Sequence, residues 1–176
     1  MKWSEIAARQ PALGAAAHEK LIKPGVLLVG TTRRDGTARI SGVEPLVMDG
    51  DLWLSMMQNS TKSADLHRDG RILVHSIVAE PNPGGEIMIR GTARPEADRQ
   101  VQGRYAAAVV AAGLGWEPEV GYFDLFAVDV SDVTWIGYAE DGAQHVARWP
   151  SGEEFLRPCL TATSLGPPEP VRRLLS

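Results

Sequence analysis

The sequence predicts a mainly β (α+β) domain, a closed antiparallel barrel or sandwich with a few flanking helices. Short runs of apolar and β-branched residues recur between residues 26 and 149 and give seven strands. Two tight-turn pairs, Asp35-Gly36 and Asp49-Gly50, lie between such runs and favour hairpins. Helical patterns are few and short, which is typical of a barrel or sandwich rather than of a helix-rich fold.

The chain begins with two predicted helices. Ser4 can cap a short helix that ends at Arg9, and Pro11 can open a second helix that runs to about Lys20. A single helix across Pro11 is excluded because an internal proline costs about 3 kcal/mol. The turn residues Lys23-Pro24-Gly25 end this helical region.

The strands and the remaining helices follow in order. The predicted strands span residues 26–32, 38–47, 51–57, 71–77, 86–93, 123–135 and 144–149. A helix over 61–68, capped by Asn59 or Ser60, is expected to end at Gly70 in the left-handed conformation. A loop over 80–85 joins the fourth and fifth strands, and a helix over 96–112 has acidic residues in its first turn and is followed by Gly113.

The 176 residues fit one core, and we expect a barrel domain over 1–150 followed by an extended C-terminal tail over 151–176. The tail contains Gly166-Pro167-Pro168-Glu169-Pro170, which cannot sustain a helix or a central strand. It is expected to be loose or to lie over a partner subunit.

Composition excludes several classes of function. The net charge is −4 and the 18 Lys and Arg residues are dispersed, so nucleic acid is not an expected partner. The single cysteine, Cys159, forms no internal disulfide, the N-terminus lacks the apolar segment of a signal peptide, and no apolar run approaches the ~18 residues of a membrane span. We therefore expect a cytoplasmic protein with no membrane partner.

The sequence shows no recognisable catalytic dyad, and the catalytic residues stay unknown. The four histidines lack the spacing that places two on one helix face, so no metal site is expected. The run of residues 113–118 starts like a dinucleotide fingerprint, but it follows a helix and has a proline in place of the third glycine. We interpret it as a helix stop and a loop.

The segment of residues 56–63 joins the third strand to the short helix. The start of that helix offers unpaired backbone amides and the positive end of the helix dipole. Ser60, Thr61 and Lys62 add two hydroxyls and an ammonium group at the same place. This combination predicts a phosphate site, and the alternative is that Ser60 only caps the helix while Lys62 is solvated.

Alternation along the second strand turns Arg39, Ser41 and Val43 toward one face. If the second and third strands pair through the turn at Asp49-Gly50, the Arg39 end lies next to the start of the helix. Arg39 and Lys62 are then expected to converge on one anion. The alternative is that Arg39 is an exposed, solvated arginine.

Residues 29–41, 49–55 and 60–72, in this order and spacing, resemble the pyridoxamine 5′-phosphate oxidase-related flavin-binding split β-barrels. The resemblance extends over about residues 20–135 and includes 89–93 with the helix that follows. It implies a six-stranded split antiparallel barrel of the FMN-binding type, a homodimer, and FMN in the groove between the subunits. It also implies hydride or electron transfer through the flavin to a small-molecule substrate.

The resemblance also assigns site residues. The positions that match its phosphate-binding residues are Arg39, Ser60, Thr61 and Lys62. The positions that match residues beside the ribityl chain and the ring are Ser41, Val43, Ser55, Met56 and Met57. The second subunit is expected to complete the ring pocket, with Trp135, Trp149 or Arg148 as contributors.

The chain differs from pyridoxamine phosphate oxidases in one respect that bears on the substrate. Pyridoxamine phosphate oxidases carry a C-terminal segment rich in arginine and tryptophan, which residues 153–176 do not match, so vitamin B6 oxidation is not expected. Two alternatives stay open, a reductase that uses the deazaflavin coenzyme F-420 and a flavin carrier without turnover. Related barrels also bind haem, but the spacing of the histidines offers no evident haem ligand.

Overall fold

The computed structural model describes residues 1–78 and 84–171, which form four α-helices and twelve strands. The helices are α1 (Trp3–Arg9), α2 (Pro11–Ala17), α3 (Thr61–Arg68) and α4 (Arg99–Ala111), and α2 continues as a π-helical turn over His18–Ile22. The first eight strands are β1 (Leu27–Thr32), β2 (Ala38–Val43), β3 (Pro45–Met48), β4 (Asp51–Met57), β5 (Arg71–His75), β6 (Glu86–Glu96), β7 (Phe123–Tyr138) and β8 (Gln144–Trp149). The last four are β9 (Glu154–Arg157), β10 (Cys159–Thr161), β11 (Ser164–Leu165) and β12 (Glu169–Pro170).

The main sheet is antiparallel and divides along β7. The order of neighbouring strands is β12-β9-β8-β7-β6-β5-β1-β2. The first part of β7, from Phe123 to Val128, also pairs with β4, whereas the part from Val133 onward pairs with β8. One long strand therefore belongs to two sheet segments, and the mainly β, split-barrel fold predicted from the sequence is confirmed.

Two separate apolar clusters hold the elements together. The larger one fills the barrel and is covered by α1 and α2, while the smaller one lies between α4 and the outer face of β4 and β7. Alternate side chains of β4 belong to the two clusters. Leu52, Leu54 and Met56 point into the barrel, whereas Trp53 points toward α4. This explains why β4 is buried along both faces up to Met56.

The helix ends differ from the prediction at the N-terminus. Helix α1 begins at Trp3, and its N-cap is Lys2, whose backbone N–H donates to the Glu5 carboxylate at 3.1 Å. The prediction of Ser4 as the cap is therefore wrong. The prediction of Ser60 as the cap of α3 is confirmed, since its hydroxyl accepts from the backbone N–H of Ser63 at 3.3 Å.

The predicted second strand, residues 38–47, is two strands in the structure. Strand β2 ends at Val43 and pairs with β1, while β3 begins at Pro45 and pairs with β4 through the turn at Asp49-Gly50. Proline has no N–H for a continuous ladder, so the chain changes partner there. Arg39 consequently lies opposite Thr31 of β1, and the strand pairing from which we expected it to approach α3 is wrong.

Gly70 also differs from its predicted role. It is not in the left-handed conformation, and α3 ends at Arg68, followed by Asp69 as a C-cap with an extended backbone. A Cβ atom at Gly70 would lie 2.8 Å from the carbonyl oxygen of Ala93 and 3.1 Å from Thr92. The glycine is required by the close approach of β6 rather than by a positive φ.

The predicted extended tail contributes strands beyond the barrel. Strand β9 pairs with β8, β12 pairs with β9, and β10 and β11 form a separate hairpin. Residues 80–83 of the predicted loop and residues 172–176 of the predicted tail lie outside the described residues.

Candidate functional site

Two cavities flank the start of α3. The first, which we call the arginine pocket, has a volume of about 460 Å³ and is lined by Arg33, Arg34, Asp35, Arg39, Thr61, Ala64, Asp65 and Arg68. The second, which we call the α3 groove, has a volume of about 540 Å³ and is lined by Gly42, Glu44, Ser55, Met56, Met57, Lys62, Trp116, Glu117, Pro118, Glu119, Tyr122 and Phe123. Because Thr61 lines one cavity and Lys62 the other, the first residues of α3 lie between them.

The arginine pocket is organised around one buried carboxylate. The Nε of Arg39 donates to Asp65 Oδ2 at 2.7 Å, the Nη1 of Arg68 donates to Asp65 Oδ1 at 3.2 Å, and the Thr31 hydroxyl donates at 3.1 Å. Burial raises the pKa of Asp65, but the hydrogen bonds from Arg39, Arg68 and Thr31 outweigh it and hold the pKa below its ordinary value. Asp65 is therefore ionised and fixes the two guanidinium groups.

The arginine pocket remains positively charged after this pairing. Four guanidinium groups face two carboxylates, those of Asp35 and Asp65. Neither Arg33 nor Arg34 forms a salt bridge with a described residue, and Arg39 uses only its Nε among described partners. The terminal nitrogens of Arg39 are thus available to an anion.

The α3 groove is open to solvent on one side and closed by the connection between α4 and β7 on the other. Its floor includes Ser55, of which 9 % is exposed, and behind Ser55 lies the fully buried ring of Tyr105. Lys62 enters the groove from α3, and neither an ion pair nor a hydrogen bond joins it to a described side chain. The groove therefore combines an uncommitted ammonium group with mostly apolar walls.

The structure brings together most of the predicted site residues, but not on one surface. Arg39 and Thr61 line the arginine pocket, Ser55, Met56, Met57 and Lys62 line the α3 groove, and Ser60 caps the helix between them. Arg39 and Lys62 thus line different cavities. Their expected convergence on one anion stays a prediction.

The other predicted residues are less accessible. Val43 and Met56 are each 2 % exposed, and their side chains belong to the barrel core, so they can offer a ligand little beyond backbone groups. Ser41 is half-buried and lines neither cavity among the described residues. Met57 is 79 % exposed at the mouth of the groove.

The residues expected to complete the ring pocket from the second subunit lie elsewhere on the chain. Trp135 is half-buried in the second part of β7, opposite Ile87 and Ala147, while Trp149 is buried in the barrel core. Arg148 lies 5.4 Å from the centre of the Phe155 ring in a larger cavity of about 770 Å³ at β8, β9 and the tail. None of these three residues lines the arginine pocket or the α3 groove within the described part of this chain.

Several residues at the two cavities were not predicted from the sequence. Arg68 could have been found, because Thr61, Ala64, Asp65 and Arg68 have the i, i+3, i+4, i+7 spacing of one helix face. The groove residues Trp116, Glu117, Glu119 and Tyr122 carry no such local signal. They line the same groove as Ser55, and the pairing of β7 with β4 brings this part of the chain to it.

The donors present fit a flavin nucleotide. The backbone N–H groups of Thr61 and Lys62 belong to the first turn of α3, where no intrahelical acceptor exists, and they point toward the helix start. The volume of the α3 groove lies within the roughly 300–1,000 Å³ typical of ligand and cofactor pockets. The start of α3 thus offers hydrogen-bond donors suited to a phosphate, and the groove beside it has the volume of a ligand pocket.

Two other properties of the described residues bear on function. Among residues 1–78 and 84–171, no group of three or more His, Cys, Asp or Glu side chains is arranged to hold a metal ion. None of the helices in those ranges combines the length and the apolar character that a membrane span requires.

Comparison with known proteins identifies the fold. No protein-family model and no curated protein matches the chain. Among solved structures, PhzG from Burkholderia lata 383, in complex with tetrahydrophenazine-1-carboxylic acid, is 15% identical, with a TM-score of 0.56 and coverage of 96% of this chain and 93% of that chain. A protein from Clostridium acetobutylicum, related to general stress protein 26 of B. subtilis and assigned to the pyridoxinephosphate oxidase family, is 14% identical, with a TM-score of 0.56 over 84% of this chain and 97% of that chain.

A structure described as an F420 reductase is 15% identical, with a TM-score of 0.53 and coverage of 66% of this chain and 94% of that chain. At these identities the matches show a shared fold. The chain has the split β-barrel fold of the pyridoxamine 5′-phosphate oxidase-like proteins.

Proposed function

We propose that the protein is an FMN-binding oxidoreductase that transfers a hydride or electrons through the flavin to a small molecule. One observation carries the proposal: the unpaired first turn of α3 and the uncommitted Lys62 ammonium lie at a groove whose volume is that of a cofactor pocket. The split-barrel fold supports it, because solved structures with this fold include a pyridoxinephosphate oxidase family member and an F420 reductase.

In this proposal the phosphate lies at the start of α3. The backbone N–H groups of Thr61 and Lys62 donate to it, and the Lys62 ammonium and the free terminal nitrogens of Arg39 approach from the two sides. Asp65 has a positioning role, because it fixes Arg39 while leaving those nitrogens free.

The ring would lie in the α3 groove. Gly42 and Ser55 contribute groups at its edge, the backbone at Met56 borders it, and Met57 covers its exposed side. A bound flavin supplies the hydride and electron chemistry, while the protein supplies position, charge and exclusion of water. This division of roles suits a chain in which no catalytic dyad is recognisable from the sequence.

We also propose a homodimer. The outer face of β2, β1 and β5 carries the neighbouring positions Ile40, Gly30 and Leu73, with Ile40 71 % and Leu73 39 % exposed. A second copy packed on this face would remove apolar surface from water. Light scattering on the purified protein measures the mass directly, and a monomer at micromolar concentration would contradict this part of the proposal.

A deazaflavin reductase is the second candidate, and the arginine pocket favours it. Coenzyme F-420 carries more negative charge beyond its ring than the single phosphate of FMN. Arg33 and Arg34, which form no salt bridge with a described residue, would be available to that extra charge. A flavin carrier would bind the cofactor with the same residues as the proposed enzyme but would catalyse no reaction.

The visible absorption and fluorescence of the protein as purified separate these candidates, because flavin, deazaflavin and haem have different spectra. Titration of the cofactor-free protein with FMN and with deazaflavin then measures both affinities. Stopped-flow bleaching of the bound cofactor by reduced nicotinamide distinguishes an enzyme from a carrier. Failure of the protein to bind either nucleotide would refute the proposed function.

A further inference from the structure

Three carboxylates line the α3 groove. Glu44, Glu117 and Glu119 all line the groove and all three are exposed residues. Lys62 is the single cationic side chain among the described residues that line it. Since the phosphate of the cofactor would engage Lys62, the three carboxylates face the remaining space without a compensating cation.

Aromatic side chains line the same groove. Trp116, Tyr122 and Phe123 line it, and Tyr122 is 70 % exposed, so its ring is accessible to a ligand. The faces of aromatic rings attract organic cations, and nearby carboxylates add to the attraction. Aromatic walls with an acidic rim therefore favour an organic cation over a neutral or anionic molecule of the same shape.

One buried hydrogen-bond donor in the groove has no acceptor. The indole Nε1 of Trp116, which lines the groove, is buried without a hydrogen-bond partner among the described residues. A buried donor that the protein leaves unpaired can donate to an acceptor atom of a ligand in the groove.

We infer that the part of the α3 groove lined by Glu44, Trp116, Glu117, Glu119 and Tyr122 is the substrate subsite and takes a small planar organic cation that carries a carbonyl-type acceptor. The inference rests on the proposed function, because it assigns the space that the flavin ring leaves free. The carboxylates and rings hold the positive charge, and the indole N–H of Trp116 donates to the acceptor. Anionic substrates are disfavoured by the carboxylates.

Three pyridine compounds test the charge preference at nearly constant shape. 1-Methylnicotinamide is a cation with a carboxamide, nicotinamide is its neutral counterpart, and nicotinate is an anion. Calorimetric titration of each into the FMN-loaded protein gives the affinities, and quenching of tryptophan fluorescence reports contact with Trp116. We expect 1-methylnicotinamide to bind at least about tenfold more tightly than nicotinamide, and nicotinate to bind more weakly than both.

The variant Glu117→Gln/Glu119→Gln removes two charges and keeps the shape. We expect it to bind 1-methylnicotinamide about tenfold more weakly, while FMN still binds. Glu140→Gln is the matched control, because Glu140 is an exposed carboxylate that does not line the groove. It should leave all affinities unchanged.

The outcomes separate the two proposals. Normal FMN binding together with equal affinities for the three compounds, or with no binding of the cation, overturns the inference and leaves the proposed function intact. A cation preference that persists in Glu117→Gln/Glu119→Gln also overturns it. Loss of all flavin and deazaflavin binding refutes the proposed function, and the inference falls with it.

Discussion

The Nε atom of Arg39 lies 2.7 Å from a carboxylate oxygen of Asp65, and this ion pair connects β2 to α3 at the edge of the arginine pocket. The side chain of Asp65 is 6% exposed, and Arg68 and Thr31 donate to it as well. The same carboxylate therefore stabilises the packing of α3 and sets the position of an arginine that the proposed phosphate site uses.

Replacement of this carboxylate should destabilise the fold. Asp65→Asn removes the charge that compensates two guanidinium groups and places amide hydrogens against their donors. We expect the free energy of unfolding in urea to fall by about 2–3 kcal/mol. Glu19→Gln is the control, because it breaks an exposed i,i+4 pair with Lys23 and should change stability by less than about 0.5 kcal/mol. Equal effects of the two variants would show that the Arg39–Asp65 pair contributes no more than a surface pair.

Stability should decrease in acid. The pKa of Asp65 in the folded protein lies below its ordinary value of 3.8, so its contribution is present above that value and is lost as pH falls through the folded-state pKa. Hydrogen bonds from Arg71 lower the pKa of Asp69 to about 2, so the same loss continues toward pH 2. We expect the urea concentration at the midpoint of unfolding to decrease as the pH is lowered from 5 to 2. The decrease should be smaller in Asp65→Asn. An identical pH dependence in the variant would contradict the assignment.

Substitution by alanine should have opposite effects on stability at two glycines. At Gly70 a Cβ would lie 2.8 Å from a backbone oxygen of Ala93, and we expect Gly70→Ala to cost about 1–3 kcal/mol. At Gly103, inside α4, a Cβ would meet nothing within 4 Å, and Gly103→Ala should stabilise by about 0.5–1 kcal/mol. Thermal unfolding measures both, and a neutral Gly70→Ala would contradict the close packing of β6.

Features that depend on neighbouring residues were predictable from the sequence. The turns at Asp35-Gly36 and Asp49-Gly50 were confirmed, because a positive φ at Gly36 and Gly50 is a local requirement. The break before Pro45 was missed although its signal is local, because the apolar run continues across it. The prediction that Gly70 ends α3 in the left-handed conformation was wrong, because this glycine is required by its close approach to Thr92 and Ala93 of β6, which are distant in sequence.

The candidate site was predictable only in part, for the same reason. The start of α3 and its hydroxyl and ammonium groups are adjacent in sequence. The two cavities, in contrast, result from long-range pairing, which places Arg39 beside Asp65 and brings Trp116 and Ser55 to the same groove. The sequence pattern of a single helix or strand cannot predict contacts between residues that are distant in sequence.

Removal of the Lys62 ammonium group should weaken the binding of the cofactor. Lys62→Ala loses a charge-assisted interaction of roughly 1.5–3 kcal/mol, so we expect the affinity for FMN to fall about tenfold to a hundredfold. Lys23→Ala is the matched control, because Lys23 is exposed and pairs only with Glu19 among the described residues. An unchanged affinity in Lys62→Ala, measured by fluorescence titration, would count against the site.

The central claim is that the start of α3 binds the phosphate of a flavin nucleotide. Riboflavin has the same ring and ribityl chain as FMN and lacks only that phosphate, so parallel titration of the cofactor-free protein with both compounds isolates the phosphate contribution. The account predicts that FMN binds about a hundredfold more tightly than riboflavin, from roughly 3 kcal/mol of phosphate contacts, and that Lys62→Ala narrows the difference. Equal affinities for the two compounds would contradict it.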